Sequence, residues 1–160
     1  MILQVGRTSV KITYQIRKEH PELIEGLDRL IALKKEEGEK RRQGLHEMMI
    51  NLDAHEKGEE QTIFPALMEM DKTRDTAFRA WEEHRILRIL MAEENMTGLS
   101  DEIWLPRLMV LRNFIKAHMK EEEDEVLTKA DELLPESSLR ELGKKFDLVK
   151  KTVKKTYITQ

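Results

Sequence analysis

Two His-x-x-x-Glu pairs set inside apolar helical stripes constrain this 160-residue chain more than any other feature. His55 is followed by Glu59, and His118 by Glu122. A spacing of four stacks both side chains on one helix face, one turn apart. The two stripes read Leu45, Met48, Leu52, His55, Glu59, Ile63, Ala66 and Leu108, Leu111, Ile115, His118, Glu122, Val126. An unpaired carboxylate in such a stripe costs roughly several kcal/mol. A chain that keeps two of them there needs a compensating partner. A metal ion shared by His and Glu is the most economical one.

Composition supports helices throughout. Charged residues make up 37% and aromatics 5%, and few stretches read as strand, which favours an all-α fold. The net charge of −3 gives no electrostatic footprint for nucleic acid, so no nucleic-acid partner is expected. The absence of cysteine excludes disulfides, iron–sulfur clusters, thiolate zinc and cysteine nucleophiles. The opening Met1-Ile2-Leu3-Gln4-Val5-Gly6-Arg7 is too short for a signal-peptide core, and no apolar run is long enough to span a membrane. A cytoplasmic protein with no membrane span is the expectation.

Residues 1–8 read as a loose lead-in, with Ser9 as the cap of a first helix carrying Ile12, Ile16, His20, Leu23, Leu27 and Leu30. Pro21 is expected to bend that helix or to start a second segment. A connection at Glu36–Lys40 leads to a second helix over about 41–70, kinked at Pro65. The third helix turns Ala77, Ala80, Trp81, His84, Leu87 and Met91 inward. After a break at 95–100, Ser100-Asp101 caps a fourth helix that closes at Leu133-Leu134-Pro135. The pattern predicts a single domain over 1–160. It is an antiparallel up-down-up-down four-helix bundle (about 9–134) with an additional C-terminal amphipathic helix (about 136–155). That last segment carries Leu139, Leu142, Phe146, Val149 and Val153 on one face. Lys144, Lys145, Lys150, Lys151, Lys154 and Lys155 form the other. It is expected to pack on the bundle, with a basic membrane-surface helix, a homodimerisation arm or a signalling contact as the alternatives.

Four histidines, His20, His55, His84 and His118, fall one per helix on the stripes, at roughly equal distances from the connecting loops. With Glu59 and Glu122 they should converge at mid-height, a known location for carboxylate-bridged metal pairs. Imidazole and carboxylate without thiolate suit Fe, Mn or Zn. Two bridging Glu give each metal two His nitrogens and two carboxylate oxygens. Beside a bridging oxo or hydroxo group, a position on each ion stays open for O2, peroxide or NO. Zinc prefers four ligands at structural sites, so iron is favoured over zinc; two Fe ions are the expectation, with Mn or Zn as the lesser alternatives. Glu56 stands at the stripe's edge as a further or transient ligand, and Glu123 ranks below it. His46 points to the opposite side of its helix and has no role. No His has a Glu three residues before it, which argues against a ferritin-like carboxylate oxidase.

These residues resemble the hemerythrin-like, or HHE cation-binding, family. The resemblance rests on His20, the block His55-x-x-x-Glu59-Glu60-x-x-Ile63-Phe64-Pro65, His84 in Trp81-Glu82-Glu83-His84, and His118-x-x-x-Glu122-Glu123, over about residues 9–134. It implies an antiparallel four-helix bundle with a non-haem diiron centre, with His20, His55, His84 and His118 as iron ligands and Glu59 and Glu122 as bridges. Oxygen carriers of the family have a fifth His four residues from the one on the third helix. Here those positions are Ala80 and Arg88. The carriers also place an Asp five residues after the last His, where this chain has Glu122 at four. The chain is thus a four-His, two-Glu variant, closer to the iron- and stress-related members. The function implied is binding or sensing of O2, a related oxidant or NO. The alternatives are a diiron enzyme or iron-handling protein in oxidative or nitrosative stress, and a metal-free interaction bundle.

Overall fold

A computed structural model describes residues 9–159, so the lead-in 1–8 lies outside the described residues. Among the described residues seven α-helices are formed: α1 Ile12–Ile31, α2 Gly38–Glu60, α3 Ile63–Met68, α4 Arg74–Met96, α5 Trp104–Glu121, α6 Thr128–Leu133 and α7 Glu136–Ile158. A π-helical turn, Glu122–Leu127, joins α5 to α6. No strand occurs among the described residues. None of their helices is long and apolar enough to cross a membrane.

The expected stripes are the buried ones. Every stripe residue of α1, from Ile12 to Leu30 and including His20, is buried. In α4, Ala77, Ala80, His84, Leu87 and Met91 are buried, while Trp81 is only partly so. Four boundaries differ from expectation. α1 continues through Pro21 rather than restarting, because the apolar stripe keeps its phase across the proline. Lys11, not Ser9, stands at the N-cap position, and the Ser9 carbonyl accepts a hydrogen bond from Arg140 of α7. The second helix does not run to Met70 with a kink at Pro65. It stops at Glu60, and the Thr62 hydroxyl turns back to donate to the Gly58 carbonyl at 2.5 Å. Pro65 then lies in the first turn of α3, where its missing N–H costs little. α5 starts at Trp104, with Asp101 accepting from the Ile103 N–H in the turn before it.

α1 packs on α2 and α5, and α4 packs on α5 and, more lightly, on α2. The core falls into two clusters. One holds Leu23, Leu27, Met48, Leu52, Leu87, Met91, Leu108 and Ile115. The other holds Ile12, Ile16, Ile63, Phe64, Ala77, Ala80, Val126 and Phe146. At the His and Glu positions the chain passes from one cluster to the other, within α1 and α4 themselves and, for α2 and α5, on running into α3 and the π turn. A polar layer therefore divides an otherwise apolar core.

α7 lies along α2 and α1. Gly143 allows its closest approach, because a Cβ there would collide with the Val10 carbonyl oxygen and press on the Gln15 side chain. The backbone carbonyl cannot rotate aside as a side chain can. Gly143→Ala is therefore expected to destabilise the chain by about 1–3 kcal/mol through overpacking, despite alanine's helix propensity advantage of about 1 kcal/mol. Urea unfolding measures this, and an unchanged or raised midpoint would refute the close packing of α7 on α1.

Candidate metal centre

The polar layer contains all six residues singled out from the sequence. His20, His55, Glu59, His84, His118 and Glu122 are each at most 6% exposed. Their arrangement follows from helix spacing. Glu59 lies one turn after His55, with Oε1 2.9 Å from His55 Nε2, and its Oε2 is 3.3 Å from His84 Nε2. Glu122 lies one turn after His118, with Oε2 3.8 Å from His118 Nε2 and 3.4 Å from His20 Nε2. Each carboxylate thus stands between a His of its own helix and a His of another. The Nε2 atoms of His84 and His118 are 3.0 Å apart.

Outside this layer every Nδ1 meets a second carboxylate. His20 Nδ1 is 2.6 Å from Glu123, His55 Nδ1 2.9 Å from Glu19, His84 Nδ1 3.1 Å from Glu60 and His118 Nδ1 2.5 Å from Glu83. An Nδ1–H donated outward fixes the ring and aims the Nε2 lone pair inward. Each outer Glu is the sequence neighbour of an inner residue: Glu19-His20, Glu59-Glu60, Glu83-His84 and Glu122-Glu123. The grammar Glu-His followed by His-x-x-x-Glu-Glu occurs twice, once in each half of the chain. That recurrence was the signal that could have found the outer shell, of which Glu19, Glu60 and Glu83 went unassigned. Both His-x-x-x-Glu-Glu blocks end at an irregularity, the stop of α2 after Glu60 and the π turn from Glu122. A π turn offsets the helix phase locally. Here Glu122 faces the inner layer while Glu123 reaches the His20 ring.

Glu56 breaks this two-fold pattern. Its counterpart in the second half is Met119, a buried apolar residue. Glu56 is 2% exposed, has no hydrogen-bond partner, and lies 3.6 Å from the Arg88 guanidinium. Burial pushes its carboxyl up to about 7, against the pull of His84, Arg88 and His118. His46, as expected, is on the exposed side of α2.

The donor set fits metal ions. Both oxygens of Glu59 and of Glu122, and the Nε2 atoms of His20 and His55, are buried without a hydrogen-bond partner. His20, His55, Glu59 and Glu122 each offer one donor atom, all within 4.8 Å of one another, as do Glu56, Glu60 and His84. Donors at right angles on one ion with bonds of about 2.1 Å are about 3.0 Å apart. The His84–His118 and His55–Glu59 separations match that value.

The layer demands positive charge. Burial opposes protonation of His55, yet Glu59 and Glu19 raise its imidazole to about 10. Burial likewise opposes protonation of His84, and Glu59 and Glu60 raise it to about 10. Burial raises the Glu59 carboxyl, but His55 and His84 together hold it well below the ordinary range. The same bases serve a metal ion once their protons leave.

The scan against protein families matches the Hemerythrin HHE cation binding domain over residues 11–130. A helical chain with paired His and Glu groups able to hold cations is the class that fold and site define together. The chain belongs to the hemerythrin HHE cation-binding family. No curated protein and no solved structure matches it.

A pH dependence follows for chain stripped of metal. The raised values of His55 and His84 stabilise the fold fully below their ordinary 6.5, and this is lost as pH rises to about 10. The lowered Glu59 contributes above its ordinary 4.5, and that contribution is lost as pH falls. The stripped chain should therefore melt at its highest temperature between these two ordinary values and progressively lower toward alkaline pH. The metal-loaded chain should keep its melting temperature over the alkaline range. Calorimetry at a series of pH values tests this. A stripped chain with no alkaline loss would show that the layer does not hold the charges described.

Proposed function

We propose that the chain is a non-haem diiron protein that binds or senses O2, a related small oxidant or NO. The observation that carries this reading is four Nε2 atoms turned onto two unpartnered buried carboxylates, with every Nδ1 tied to an outer Glu. In this reading His20 and His55 would hold one ion and His84 and His118 the other, with Glu59 and Glu122 placed to serve both. Glu56, with its unpartnered oxygens near His84, would offer a further carboxylate to the ion held there. The order of the two core clusters reverses from each to the next along α1, α2 with α3, α4, and α5 with its π turn, which supports an antiparallel up-down-up-down bundle with α7 as its fifth helix, all one domain.

Two iron ions, when bound, would supply redox chemistry and a place for a small ligand. The chain's own residues do the rest. Glu19, Glu60, Glu83 and Glu123 hold the imidazole rings in place and make them more basic, which favours the higher oxidation state of the metal. The apolar clusters above and below exclude water from the layer.

The test is anaerobic reconstitution with ferrous iron, followed by iron analysis and optical spectra before and after O2, peroxide and NO. About two irons per chain are expected, with a spectral change on exposure to at least one of these ligands. Binding without turnover supports a sensor. Catalytic consumption of peroxide, NO or O2 would move the chain to the enzyme alternative. His118→Ala should lose at least half of the iron and melt at lower temperature, because Glu122 loses one of its two imidazole neighbours, whereas His46→Ala should retain full iron content. Unchanged iron in the His118 variant would overturn the assignment.

A further inference from the structure

The lysines of α7 are not all on its outer face. Lys144, Lys145, Lys151, Lys154 and Lys155 are exposed, but Lys150 is only partly so. The inward positions of α7 are Leu139, Gly143, Phe146, Lys150, Val153 and Tyr157, an alternating four–three spacing that places Lys150 within the seam. Lys150 Nζ is ion-paired with Glu19 Oε1. The other oxygen of that carboxylate, Oε2, takes His55 Nδ1 at 2.9 Å. Phe146, one turn before Lys150, stands edge-on to the His55 ring at 6.0 Å, and the Lys150 ammonium lies 5.0 Å from the Phe146 ring centroid.

The second half of the layer has a counterpart. Arg88 Nη1 donates to Glu60 Oε1 at 2.6 Å, and the same oxygen is 3.1 Å from His84 Nδ1. Among the described residues, Glu83 and Glu123 have no Lys or Arg within ion-pair distance, only their His. One His of each pair therefore has a cation behind its outer carboxylate: Lys150 behind His55 and Arg88 behind His84. Arg88 lies within the family match at 11–130, and Lys150 lies beyond it.

We propose that Lys150 is a positioning residue of the metal centre, acting through Glu19 on His55, and that α7 is thereby a working part of that centre. The inference rests on the diiron reading above. Lys150 occupies one oxygen of Glu19 and holds the carboxylate against His55. Without the cation, Glu19 is free to turn into the groove of about 430 Å3 that it borders together with Glu22, Met48, Lys150 and Lys154. His55 then loses its fixed orientation.

The test uses the full chain loaded with iron. In Lys150→Gln, one of the two irons should pass to a chelator about tenfold faster, the lower end of the usual effect of disturbing a ligand's hydrogen-bond partner. Lys150→Arg should restore the parent rate. Mössbauer spectra should change at one iron in Lys150→Gln and at the other in Arg88→Gln. Tyr157→Phe removes another α7 anchor, the 2.7 Å bond from its hydroxyl to Asp53. It should leave both the release rate and the spectra unchanged. If Lys150→Gln does not fold, Glu19→Gln must alter the same iron signal. The proposal is overturned if Lys150→Gln releases iron at the parent rate, or if Tyr157→Phe speeds release equally, which would make α7 a merely structural support. A parent chain that binds no iron overturns the diiron reading itself, and this inference with it.

Discussion

Two carboxylates at the centre of an apolar core set the terms for the rest of this structure. Glu59 and Glu122 are essentially inaccessible to water, and no hydrogen bond reaches their oxygens. An uncompensated charge of that kind would cost several kcal/mol each, roughly half of a typical domain's stability. Everything around them answers that demand. Four imidazoles face them, four outer carboxylates orient the imidazoles, and Lys150 and Arg88 hold two of those carboxylates in turn. The local backbone follows the same demand, with α2 ending just after Glu60 and α5 passing into a π turn at Glu122.

Much of this was legible in the sequence because helical periodicity is a direct record of facing. The stripes of α1, α2 and α5 picked out the buried residues, and the six inner His and Glu residues fell on them. The breaks were less legible. Pro65 suggests a kink in a long helix, but the interruption comes earlier, at Gln61–Thr62, and the proline lies in the first turn of α3. No side-chain pattern announces the π turn, since it depends on how two adjacent Glu residues are shared between layers.

The outer shell was missed for a different reason. Glu19, Glu60 and Glu83 each neighbour a stripe residue, and a neighbour of a buried position usually faces solvent. Their role shows only when a His from another helix is brought alongside, which is a tertiary fact. Lys150 falls in with the exposed lysines of α7 for a similar reason. A lone cation at a seam position is easily absorbed into a basic face until Glu19 is seen opposite.

The diiron reading puts two metal ions in this layer, between the same six side chains. Anomalous diffraction from crystals of the iron-loaded chain tests it most directly. The account predicts two iron peaks about 3–4 Å apart, one beside His20 and His55 and the other beside His84 and His118, with Glu59 and Glu122 between them. A single peak, peaks elsewhere, or no iron at the layer would contradict it.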